Sequence, residues 1–178
     1  MSAMHIELDP PNGITGFPFG MPADEVKAAA AALGTVRVLD EGPPRKWRFM
    51  KIDTVLPQFA ITFHIEDGKT LTSVEIWRPF EGPQQISVTW RGTDVFLTPA
   101  DEVMAQIQAA GYRIDEREST YPQVKDLTLG FGRNSRDDIP CDGDGDGDED
   151  DDDPKPLYFS SVLAAPTRYY DESAFGEE

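Results

Sequence analysis

Pro22-Ala23-Asp24-Glu25-Val26 returns as Pro99-Ala100-Asp101-Glu102-Val103, 77 positions on, with Phe19 matched by Phe96 and Gly34 by Gly111 at the same offset. Each copy reads as the start of a helix. Proline is suited to the first helical position, acidic residues in the first turn meet the positive end of the helix dipole, and glycine past the end suits a left-handed cap. In the second copy Thr98 stands where an N-cap hydroxyl is wanted. Val26, Ala30 and Leu33 share one face of the first helix, and Val103, Ile107 and Ala110 share one face of the second. Both faces are expected to pack on a sheet. Chance reuse of good helix-start chemistry would explain the motif alone; duplication of a helix module explains the constant offset as well.

Working outward, the pattern turns to strands after each glycine. Alternating and β-branched runs predict strands over 36–39, 47–52, 59–65 and 71–77 in the first half and over 112–115, 127–131 and 157–164 in the second. The runs 86–90 and 95–97 are expected to lie between the halves as one further hairpin, or as the end of the first half and the start of the second. Within 59–77, Asp67-Gly68 suits a two-residue turn that sets Glu66 opposite Lys69. Counting from that turn puts Phe63 opposite Thr72, Ile61 opposite Val74 and Phe59 opposite Ile76 on one apolar face. His64, Thr62, Ala60, Leu71, Ser73, Glu75 and Trp77 share the other, mixed face, which is expected to be partly exposed. The predicted fold is α+β: two helices packed on antiparallel sheet as a duplicated helix-then-strands module, with repeats over about 17–90 and 94–165. One domain is expected over 1–178, with residues 1–13 and 171–178 fraying and residues 134–156 forming an acidic, disordered insertion loop.

The chain has 178 residues, enough for one core, and 39% hydrophobic residues to fill it. Its formal charge of −17 repels phosphate backbones, which argues against nucleic acid and for a basic protein partner or a cation. More than half of that charge sits in Asp142, Asp144, Asp146, Asp148, Glu149, Asp150, Asp151, Asp152 and Asp153, so the remaining body is only moderately acidic. No basic segment followed by an apolar one opens the chain, and no apolar run approaches a membrane span. A cytoplasmic protein with no membrane partner is the expectation, consistent with the single cysteine, Cys141.

Asp142-Gly143-Asp144-Gly145-Asp146-Gly147 resembles the first half of an EF-hand calcium loop, with Asp142, Asp144, Asp146, Asp148 and Asp153 as the candidate ligands. The twelfth position carries Asp153 where the bidentate ligand is normally Glu, and the flanks 137–140 and 152–154 are not helical. A solvated acidic loop is the plainer reading. No cofactor is expected, with calcium the one alternative. His5 is placed in the flexible terminus, and His64 on a strand with Glu75 as neighbour and no nucleophile. The serine-hydrolase elbow, the zinc-protease helix, the dinucleotide fingerprint and the P-loop are all missing, and Gly130-Phe131-Gly132-Arg133 reads as strand-end chemistry. No catalytic residues are assigned. Aromatic residues beside acids make good anchors for a basic surface, so Trp77, Asp148, Glu149, Asp150, Asp151, Tyr169 and Tyr170 are the candidate partner-binding set, while Trp47 and Trp90 are assigned to the core.

In size, acidity, duplicated helix-plus-sheet pattern and lack of catalytic motifs, the chain resembles bacterial toxin-immunity and enzyme-inhibitor proteins. Its duplication is similar to that of the β-lactamase inhibitory proteins, which are secreted and disulfide-bonded, unlike what this sequence suggests. The closing Tyr158-Phe159-Ser160-Ser161-Val162-Leu163 and Tyr169-Tyr170-Asp171 resemble the ends of small acidic immunity-type proteins. The resemblance implies a non-catalytic immunity or inhibitor protein that covers the basic surface of a toxin or enzyme. A calcium-binding protein and an enzyme of unrecognised type are the alternatives.

Overall fold

The computed structural model describes residues 4–41, 49–56, 59–66, 68–78, 86–118, 120–133 and 156–166. Among the described residues, two helices and two sheets make an α+β fold. The larger sheet has seven strands: β4 (Thr35–Glu41), β5 (Phe49–Leu56), β6 (Phe59–Ile65), β7 (Ser73–Trp77), β10 (Gln123–Val124), β11 (Leu129–Gly132) and β12 (Ser161–Ala164). Their order is β10-β11-β12-β7-β6-β5-β4, antiparallel throughout. The smaller sheet orders β1 (Met4–Asp9), β2 (Gly13–Ile14), β3 (Phe17–Pro18), β8 (Ile86–Trp90) and β9 (Thr93–Asp94) as β3-β2-β1-β8-β9, with β1 parallel to β8.

The two repeated motifs open α1 (Ala23–Leu33) and α2 (Ala100–Ala109). Each proline sits one position earlier than expected. Pro22 and Pro99 keep extended ψ angles of 143° and 138° and serve as caps whose carbonyls accept the first helical bonds, so alanine is the first helical residue. Thr98 is not the N-cap, because its N–H is tied back to the Asp94 carbonyl at 3.2 Å while the Asp94 carboxylate accepts from the N–H groups of Phe96 and Leu97. Gly111 has the expected positive φ of 97°, whereas Gly34 is extended at φ 174° and leads straight into β4. Val26, Ala30, Val103 and Ile107 are buried as their spacing requires, and Leu33 is half-buried. Ala110 is exposed, since α2 ends before it.

The β6–β7 hairpin is slipped from the counted register. Phe63 lies opposite Val74 and Ile61 opposite Ile76. The cause is competition from the first helix module: Gly20 N–H bonds the Leu71 carbonyl, Leu71 N–H bonds that of Met21, and Ala23 N–H bonds that of Lys69. These bonds draw residues 69–71 out of the hairpin, while the Gly68 N–H closes a turn onto the Ile65 carbonyl at 3.1 Å; Asp67 lies outside the described residues. Because the slip is two residues, the faces are unchanged. Ile61, Phe63, Val74 and Ile76 remain on the core face with Ile52, Leu129, Phe131 and Val162, all essentially inaccessible.

Several expected elements are shorter or displaced. The second strand is Phe49–Leu56 rather than 47–52, and Trp47 lies outside the described residues. Residues 95–97 form a turn rather than a strand, and of 112–115 only Asp115 bridges, to Gln123. Strand 127–131 begins at Leu129 after a 3₁₀ turn over Lys125–Leu127, and strand 157–164 begins at Ser161. Residues 4–9 do not fray: Ile6 and Leu8 are buried while the strand pairs with β8. Phe17 on β3 lies 4.4 Å from Phe63 on β6, ring centre to ring centre, joining the two sheets in one core.

Candidate functional site

Trp77 lies half-buried at the middle of the larger sheet, between Ala60 of β6 and Ser161 of β12. It is on the mixed face, as expected. A polar row runs across that face, since Arg37 lies opposite Asp53, Asp53 opposite Thr62, Thr62 opposite Glu75, and Glu75 opposite Leu163. His64 Nε2 lies 3.6 Å from Glu75 Oε2. Next along the chain from Trp77, the Arg78 guanidinium lies over the Tyr158 ring at 5.8 Å, and burial lowers its pKa from the ordinary value.

Asp142, Asp144, Asp146, Asp148, Glu149, Asp150, Asp151 and Asp153, together with Cys141, Tyr169 and Tyr170, lie outside the described residues. The two residues that flank the acidic segment are described, and they meet. Arg133 Nε donates to the Pro156 carbonyl at 2.6 Å, and Arg133 Nη1 donates to Asp101 Oδ1 at 2.8 Å. Beside them the N–H of Ala100, first residue of α2, bonds the Leu157 carbonyl at 2.8 Å. The described residues on either side of the acidic stretch therefore lie at one place, against the exposed Asp101 and Glu102 of α2. The sequence hides this clasp, because a buried arginine and a solvated one look alike in a polar strand end.

A second constellation lies on the smaller sheet. Arg91 and Gly92 form the two-residue turn between β8 and β9, both at positive φ, 47° and 81°. That conformation costs a non-glycine residue energy and is sustained only where surroundings enforce it. Glu7 enforces it from β1: its Oε1 accepts the Arg91 N–H at 3.0 Å, while its Oε2 accepts the Thr89 hydroxyl. The Arg91 guanidinium lies over Trp90 at 4.8 Å and Tyr112 at 5.4 Å, and its Nη2 donates to the Tyr112 hydroxyl at 3.0 Å. Glu7, Asp9, Ile14, Trp90, Arg91, Tyr112 and Leu127 are among the residues lining a cleft of about 440 Å³ here. His5 belongs to this neighbourhood rather than to a flexible terminus, with Nε2 3.3 Å from Thr89 Oγ1 and 3.6 Å from Glu7 Oε2. The alternation His5-Ile6-Glu7-Leu8 and the pair Arg91-Gly92 between strand runs were the available sequence signals.

Asp115 forms a third charged cluster. The Arg117 side chain, the Arg117 backbone N–H and Lys125 all favour its ionised form and hold its carboxyl well below the usual range. Among the described residues no group of three or more His, Cys, Asp or Glu is placed to hold a metal ion, and no helix is long and apolar enough to cross a membrane. No protein family, curated protein or solved structure matches the chain.

Proposed function

We propose that this chain is a non-catalytic cytoplasmic binding protein that covers a basic surface on another protein, as an immunity or inhibitor protein covers a toxin or enzyme. The observation that carries this reading is the Arg133–Pro156 clasp. It joins the two described residues on either side of the stretch whose sequence concentrates Asp148, Glu149, Asp150 and Asp151, next to the exposed acidic first turn of α2. Such a concentration accelerates encounter with a basic surface, as a nuclease needs for gripping phosphate. Trp77, Tyr169 and Tyr170 are the proposed aromatic anchors. The paired helix openings at Pro22 and Pro99 support a duplicated module as the origin of this scaffold.

Affinity capture with the tagged full chain from its native cell tests the proposal. A basic partner released by salt is expected, and its own activity, if enzymatic, should be inhibited by the chain. An acidic partner held independently of salt, or turnover of a small molecule by the purified chain, would contradict it.

A further inference from the structure

We infer that the cleft around Arg91 binds a monoanionic carboxylate that carries an apolar group. The guanidinium is pre-positioned on two aromatic faces, which fixes its plane before any ligand arrives. Among the described residues no carboxylate pairs with this guanidinium, although Glu7 and Asp9 line the same cleft. Glu7 is committed elsewhere, one oxygen to the Arg91 backbone and the other to Thr89, and Asp9 Oδ2 faces the Asn12 amide at 3.4 Å. With one Nη on Tyr112, donors remain to meet a planar carboxylate, the geometry for which arginine is the matched partner.

The rest of the lining selects within that class. Ile14, Leu127 and the Trp90 ring give an apolar wall, and about 440 Å³ holds a group of side-chain size. Glu7 and Asp9 repel a second negative charge, so a phosphate dianion is disfavoured against a single carboxylate. The left-handed backbone of Arg91 adds independent support: the fold spends conformational energy to put an arginine where glycine would sit without strain.

The test is calorimetric titration of the full chain with N-acetyl-leucine, its amide, hexanoate, a short peptide ending in leucine, and inorganic phosphate. N-acetyl-leucine is expected to bind one per chain, the neutral amide at least about tenfold more weakly, and phosphate more weakly still. Arg91→Gln should lose about tenfold or more, with Arg91→Lys between, since an ammonium keeps the charge without the fork. Arg91→Gly relaxes the turn and should keep the near-ultraviolet circular dichroism of a folded chain while losing the carboxylate preference, which separates a lost site from a lost fold. Both sources of the shared chemistry support the inference: tight hexanoate binding assigns a free acid, and binding of the peptide alone assigns a chain end. Equal binding of acid and amide, phosphate binding tighter than the monocarboxylate, unchanged binding by Arg91→Gln, or no binding at about ten millimolar ligand overturns it.

Discussion

Arg133, 5% exposed, reaches the carbonyl of Pro156 at 2.6 Å and so joins the two residues that flank the whole acidic segment. Its ion pair with Asp101 extends the same contact to the first turn of α2, so one side chain ties β11, α2 and the entry to β12. A charge buried this deeply is tolerated because its donors are met on both sides.

Arg133→Ala should therefore destabilise the fold by about 2 kcal/mol, most of it from leaving the buried Pro156 carbonyl unpaired, because the exposed carboxylate of Asp101 can turn to water. Arg133→Lys should recover about half, since one ammonium cannot serve both acceptors in the guanidinium's geometry. Urea unfolding of the three chains checks the order.

Thr54 carries the opposite kind of buried polar group. It is fully inaccessible on the core face, and its hydroxyl finds no hydrogen-bond partner among the described residues. Replacing the hydroxyl by a methyl of the same shape in Thr54→Val should raise stability by about 1 kcal/mol, read as a higher melting temperature.

Asp115 predicts part of the acid limb. Its folded-state pKa is depressed below the ordinary 3.8, so the stability it contributes is present above that value and is lost as pH falls below it. Asp115→Asn should lower stability at neutral pH and flatten its fall between about pH 5 and pH 2. Thermal melts across that range make the comparison.

Calcium should bind the chain only weakly and without selectivity. The Asp142-to-Asp153 series offers oxygen ligands but a short carboxylate at its twelfth position, and it lacks helical sequence on either flank. Calorimetry with calcium and magnesium in competition tests this, and one tight calcium site that magnesium fails to displace would contradict it.

Local chemistry made the helix modules legible: proline, two acids and an apolar spacing act within a few residues, so α1 and α2 open where the sequence says, to within one position. The faces of β6 and β7 were legible because parity survives a two-residue slip. The register was not, since it is set by Gly20, Met21 and Ala23 capturing residues 69–71, a contact between distant parts of the chain. The strand Met4–Asp9 is not legible for the same reason, since its partner, β8, lies far along the sequence. Of the sites, Trp77 could be assigned to the mixed face by counting, whereas the Arg91 cleft and the Arg133 clasp exist only once β1 meets β8 and α2 meets the start of β12.

Electrostatic capture of a basic protein is read from the association rate constant of the captured partner as salt is raised. A basic partner is expected whose association slows by about tenfold or more from low to high salt, with the dissociation rate much less affected and Trp77→Ala acting mainly on dissociation. An acidic partner, or an association rate indifferent to salt, would contradict it.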